Sequence, residues 1–212
     1  MSELDVFLRW LEANGARAPK LRIEHRDDGE RGAFAARDIT AGEPVLTVPR
    51  RAILTIADAR GSAIGRRIAA SGLREAGDDV YLAAYLLHER RSGDSFWKPY
   101  LDILPGAFPS NPLFFDEHDR SLLEGSFLVE AIAERRRALL SDHASLVRAV
   151  PELGWIQPPD FIWARIIVTS RNFGLTIDTA KVRSMVPMAD MLNHRASPET
   201  SWGYAPEAGD FA

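Results

Sequence analysis

Cysteine is absent from all 212 residues. With no thiol there is no disulfide framework and no thiolate zinc site, and any metal would have to be held by His and carboxylates. No apolar run reaches the roughly 20 residues that a membrane-spanning helix needs. The opening Ser2-Glu3-Leu4-Asp5-Val6 lacks the basic and then apolar regions of a secretory signal, so a reducing, cytoplasmic location is expected. Positive charge is not in excess either: 26 Lys and Arg stand against 30 Asp and Glu, a formal net charge of -4. A surface that neutralises phosphates is usually strongly basic, so neither nucleic acid nor a membrane is an expected partner. Internal repeats, heptads and low-complexity tails are missing, as are Gly-x-Gly-x-x-Gly, a phosphate-loop Gly-Lys-Ser/Thr, Gly-x-Ser-x-Gly and His-Glu-x-x-His.

What is present is enough apolar residue, 46%, to bury one substantial core, as one domain or one domain with an inserted subdomain. Val6, Phe7, Trp10 and Leu11 recur at helical spacing and Asn14-Gly15 supplies a stop, which predicts a short amphipathic opening helix. Leu21 to His25, Ala33 to Ala36 and Val45 to Val48 predict three strands, separated by turns at Asp28-Gly29 and Ala41-Gly42, as a small β-meander. The pattern then turns helical. Val80, Ala83, Ala84 and Leu87 share one face of a helix over Asp79 to Arg90, and a long Arg-rich helix runs from Phe127 to Val150. Pro158-Pro159 opens a further helix through Phe161 and Val168, and short strands are expected near Leu175 to Ile177 and Val182 to Met185. Strands, a helical middle and a return to strands read as an α+β fold interrupted by an insertion, with boundaries at 1–61, 62–171 and 172–212.

Several segments carry possible chemistry. In Gly29-Glu30-Arg31-Gly32-Ala33-Phe34 the glycines let backbone approach a ligand closely, or else make an ordinary hairpin connection. The Phe96-Trp97-Lys98-Pro99-Tyr100 run reads as core packing, and Arg135-Arg136-Arg137 as a solvated helix face. Arg171 either binds an anion or closes a helix C-terminus at the surface. Asp190 and His194, four residues apart, would share a side of a helix and form a metal or acid-base pair, or a simple hydrogen bond. The remaining histidines, His25, His88, His118 and His143, supply no ligand cluster, so no metal is expected.

Arg171-Asn172-Phe173 followed by Val186-Pro187-Met188-Ala189-Asp190-Met191-Leu192-Asn193-His194 resembles the cofactor-binding half of SET-domain protein methyltransferases. The group that includes the plant Rubisco large-subunit lysine methyltransferase is the most similar. The resemblance extends to Arg37-Asp38-Ile39 with Gly42-Glu43-Pro44-Val45-Leu46-Thr47-Val48-Pro49 and to the aromatic insert ending in Pro112-Leu113-Phe114-Phe115. It implies a SET β-fold of short strands interrupted by a mostly helical insert, truncated at its C-terminal end. It also implies S-adenosylmethionine as cofactor, held by Gly32, Ala33 and Phe34, by Ala63, Ile64 and Gly65, by Arg171, and by Asp190, Met191, Leu192, Asn193 and His194. Phe173 and Ala189 match the substrate channel of lysine-modifying members, whereas a histidine-modifying relative differs at both, so a protein with an accessible lysine is the implied substrate. The family's catalytic tyrosine comes from a later Tyr-Gly motif. Tyr204 lies between Gly203 and Ala205 and does not match it, so no catalytic residue is assigned. The alternative is a non-catalytic SET-like module that binds a protein partner; oligomeric state and target are left open.

Overall fold

The computed structural model describes residues 1–25, 31–73, 76–194, 196, 200–205, 207 and 209–212. The turn expected at Asp28-Gly29 lies outside them. The chain forms two compact units, one of Met1–Asp58 with Arg171–Ala212, the other of Ala59–Ser170.

The first unit opens with helix α1 (Glu3–Ala13), which starts where it does because Ser2 and Asp5 cap it reciprocally. Ser2 Oγ accepts from the Asp5 N–H at 3.1 Å and the Asp5 carboxylate accepts from the Ser2 N–H at 2.9 Å, so two otherwise orphaned donors are satisfied. Hydrogen bonding to the Asp5 carboxyl from Ser2, its backbone N–H first and its side chain next, holds that carboxyl below its ordinary value. The helix stops at Asn14, and Gly15 follows at φ 86°, as the Asn14-Gly15 signal predicts. Its buried residues are Phe7 and Leu11, with Leu4 and Leu8 half-buried, whereas Val6 is exposed; the apolar stripe is turned from the one expected.

Strands β1 (Leu21–His25) and β2 (Arg31–Ala35) pair antiparallel with Leu21 opposite Ala35. The expected third strand of the meander does not join them. Thr47 exchanges both backbone hydrogen bonds with Arg17, and only β3 (Val48–Pro49) is a strand. Further along come β4 (Leu54–Thr55), β5 (Asn172–Ile177), β6 (Ala180–Met185), β7 (Tyr204–Ala205) and β8 (Asp210–Phe211). They make two more antiparallel sheets, β3-β8-β7 and β4-β6-β5. Each combines strands from the two ends of the chain, a pairing that alternation within one strand does not encode. The β5–β6 hairpin turns on Asp178 and Thr179, at φ 48° and 70°, so both central residues occupy the left-handed region that a two-residue hairpin of this hand demands. Arg50 ties down the end of this unit's first segment: its Nη2 donates to Asp58 at 3.1 Å and to Thr55 Oγ1 at 3.0 Å.

Helix α2 (Ile56–Gly61) carries the chain into the second unit. Here follow α3 (Ala63–Ala70), α4 (Asp78–Arg91), α5 (Lys98–Asp102), α6 (Glu117–Ser121), α7 (Leu128–Ala149) and α8 (Pro158–Ser170). Helix α4 was expected to bury one face, but Tyr81, Leu82 and Leu86 are buried along with Val80, Ala83, Ala84 and Leu87. It is packed nearly all round, as is α8, where every residue from Phe161 to Val168 is buried. Trp97 and Tyr100 of the aromatic run are buried, and the Trp163 indole N–H donates to the Pro105 carbonyl at 2.8 Å, so the core reading of that insert holds. Phe96 remains 46% exposed.

Candidate cofactor site

Register places Gly32, Ala33 and Phe34 in the body of β2, opposite Glu24, Ile23 and Arg22. The segment is strand here, and Gly32 and Ala33 are buried while Phe34 is half-buried beneath the Arg22 guanidinium. Asn193, 160 residues further along, donates from Nδ2 to the Ala33 carbonyl at 2.8 Å. The reason for a glycine at 32 lies in that contact. A Cβ built there would stand 2.5 Å from Asn193 Oδ1, inside any real carbon-oxygen approach, so any other residue would push the amide out. Thus the amide expected to meet a ligand is spent, at least through its N–H, on closing two remote segments against each other.

Asn193 is presented by a short, strained turn. Val186, Met188, Ala189 and Met191 are buried; the 3-10 turn Ala189–Met191 is closed by Asp190 N–H to Val186 O and Met191 N–H to Met188 O. Met188 enters it at φ 73°, a left-handed conformation costly for a residue with a Cβ. Nothing local in the sequence marks Met188. The turn ends at Leu192, which is extended, so Asp190 and His194 are not on one helix and the argument that four-residue spacing puts them on one side does not apply.

What fixes the turn is Arg171. From the junction between α8 and β5, its Nη1 donates to Asp190 Oδ2 at 3.0 Å and to the Asp190 carbonyl at 3.2 Å. The Asp190 side chain is fully buried and that of Arg171 is 18% exposed. Arg171 is therefore not a surface cation closing the end of α8. Its Nε is buried and, among the described residues, has no hydrogen-bond partner, which leaves one donor of a buried cation for another acceptor. Leu192 is half-buried, and Asn193 and His194 are exposed at the lip of this arrangement.

Phe173, opposite Ser184 in the β5–β6 pair, meets Phe211 and Trp202 edge-on, with ring centroids 5.5 and 5.7 Å away. Those two partners come from a segment with no sequence signal for the role. Ala63, Ile64 and Gly65 belong to the helical unit, at the start of α3, where Ser62 Oγ accepts from the Gly65 N–H at 3.0 Å. Ile64 and Gly65 are buried, and a Cβ on Gly65 would lie 2.0 Å from the Ala59 carbonyl, so close packing within that unit already accounts for this glycine. A cavity of about 540 Å³ in the first unit, lined by Leu8, Leu11, Arg17, Leu21, Leu46 and Met188, reaches none of Gly32, Arg171 or Asn193. Among the described residues no cluster of three or more His, Asp or Glu is placed to hold a metal. The chemistry on offer is binding: backbone and amide groups at an exposed lip and a buried cation with a spare N–H.

No family model matches the chain. It is 28% identical over 198 residues to the actin-histidine N-methyltransferase of Callithrix jacchus, covering 88% of this chain and 33% of that protein. Among solved structures it is similar to the SET domain of LSMT bound to lysine and AdoHcy, with TM-score 0.85 at 24% identity over 99% of this chain and 49% of that one. Rubisco LSMT bound to sinefungin and monomethyllysine gives TM-score 0.79 at 26% identity, over 92% and 45%. The architecture is the SET-domain fold. The chain spans about a third of the length of the curated relatives it matches.

Proposed function

We propose that this chain, a SET-domain fold, is the S-adenosylmethionine-binding portion of a protein methyltransferase that acts on lysine. The observation that carries the proposal is the tie from Asn193 to the Ala33 carbonyl over Gly32, which joins the two segments that resemble the cofactor-binding parts of SET domains. The residues present fit such a ligand. S-adenosylmethionine carries a carboxylate, an amino group and an adenine, and the lip formed by Asn193 and His194 beside the β2 backbone offers hydrogen-bonding groups to the neutral parts. Arg171 offers a cation with a free Nε–H to the carboxylate. When bound, the cofactor would supply an electrophilic methyl group on a sulfonium.

The chain's own residues would then position and desolvate the acceptor. Lysine, with an ordinary pKa of about 10.4, is protonated at neutral pH, and an apolar wall favours its neutral, nucleophilic form. Phe173 and the buried Ala189 are assigned to that wall, the first for its aromatic face and the second because a larger side chain would crowd an aliphatic stem. They support lysine over histidine, although the curated relatives compared are actin-histidine N-methyltransferases.

Calorimetric titration of S-adenosylmethionine into the folded chain tests the proposal. Saturable binding near one to one is expected, weakened by about tenfold or more in Arg171→Ala, since a charge-assisted hydrogen bond contributes about 1.5–3 kcal/mol. Gly32→Ala should also weaken it by displacing Asn193. Absence of binding to a chain shown by circular dichroism to be folded would sink the cofactor assignment. Mass spectrometry of peptides methylated by a binding-competent preparation distinguishes lysine from histidine as acceptor.

A further inference from the structure

Helix α7 is 22 residues long, yet its only fully buried residues are Leu139 and Leu146, with Leu139 packed against Ile162 and Ile166. Its first three turns stand in solvent. Val129, Ala133, Arg136 and Leu140 follow one another at intervals of four, three and four and so form one stripe along the helix, with half-buried Ile132 beside it. Val129 is 47% and Leu140 37% exposed, and Phe127, just before the helix, is 82% exposed. Glu130, Glu134 and Arg137 all flank this stripe on the same side. Among the described residues none of the three takes part in an ion pair or side-chain hydrogen bond, so each is free to meet a charge from outside.

We infer that this stripe is a self-association surface on which α7 packs antiparallel against α7 of a second copy of the chain. The flanking charges favour that occupant. A two-fold axis between Glu134 and Arg135 sets Val129 level with Leu140 of the second copy, closing the apolar stripe at both ends, and Ala133 level with Arg136 of the second copy. The same operation keeps the charged flank of both helices on one side of the interface. Arg137 of the second copy then stands level with Ile132, midway between Glu130 and Glu134, and symmetry repeats the contact. A parallel two-fold would instead send the charged flanks of the two helices to opposite sides of the interface, where Arg137 could not reach Glu130 or Glu134 of the second copy. The small Ala133 at the centre lets the helices approach to a normal interaxial distance of about 8–10 Å. This inference is independent of the methyltransferase reading.

Sedimentation equilibrium on the whole chain over a concentration series tests it. The expected result is a reversible monomer–dimer equilibrium, with Leu140→Glu shifting the population to monomer. Arg137→Glu should weaken the dimer by about tenfold or more, because it sets like charges against each other. The triple variant E130R/E134R/R137E should restore the wild-type equilibrium, which damage to the fold would not. A chain that is monomeric at every concentration, including one that instead captures a different protein on this helix, overturns the inference. So does a dimer indifferent to Leu140→Glu and Arg137→Glu.

Discussion

The two units differ in how their contacts are arranged along the chain. In the helical unit α4 and α8 are buried mainly by apolar neighbours, with a buried cation, Arg165, paired to Asp142 and Asp79, and among its described residues left-handed φ values fall only on glycines, Gly72 and Gly125. The β unit is built from short strands whose partners lie far away in sequence, and it holds all the described non-glycine residues at positive φ, namely Asp178, Thr179 and Met188. Its decisive contacts are polar and singular: Arg171 with Asp190, Asn193 with Ala33, Arg50 with Asp58. The difference teaches where this chain can carry a binding site. Strain persists where surrounding contacts over-determine it, and the strained Met188 turn is the one that presents Asn193.

The largest loss is expected at the polar pair. Asp190→Ala strips the acceptor from a largely buried cation and should cost about 3–5 kcal/mol, read by urea denaturation; a loss below about 1 kcal/mol would mean that the pair does not hold the turn. Apolar packing is tested by Leu82→Ala in α4, where Leu82 is fully buried, and about 3 kcal/mol should be lost to transfer and cavity terms. A smaller effect of opposite sign is expected at the β5–β6 turn. Thr179→Gly removes the Cβ from a residue at φ 70° and should raise the melting temperature, equivalent to about 1 kcal/mol or less, since the glycine also gains entropy when unfolded. An unchanged or lower melting temperature would show that the turn is not strained.

The smallest effect concerns Glu43. A hydrogen bond from Lys20 at 2.7 Å, and next one from the Thr40 backbone, hold its carboxyl below the ordinary value. A depressed carboxyl contributes stability above its unfolded pKa and loses it as pH falls through the folded one. The melting-temperature gap between wild type and Glu43→Gln should therefore be present at neutral pH and shrink toward the acid end. A gap that does not change with pH would assign the effect to something other than ionisation.

Much of the helical unit was legible in the sequence because helices are local. The periodicity over Asp79 to Arg90 and over Phe127 to Val150 locates α4 and α7 to within a residue or so at each end. The degree of burial was not legible, since a four-residue interval marks one face and cannot report that a second face is also covered. In the β unit β1 is read fully, but β3, β7 and β8 are two residues each and exist only through partners elsewhere. The candidate site divides in the same way. Gly32, Arg171 and Asn193 stand out through resemblance to a known family, whereas Met188, Trp202 and Phe211 carry no local signal at all.

By itself, then, the sequence determined which residues are apolar and where the opening helix, α4, α7 and α8 run. These follow from interactions among residues a few positions apart. Only the tertiary structure decided that Asn193 crosses to Ala33, that Arg171 holds a buried Asp190, and that Thr47 pairs with Arg17 in place of β2. Each of those contacts joins groups remote in sequence, and its energy depends on burial and hydrogen-bond geometry that arise only when both ends of the chain are brought together.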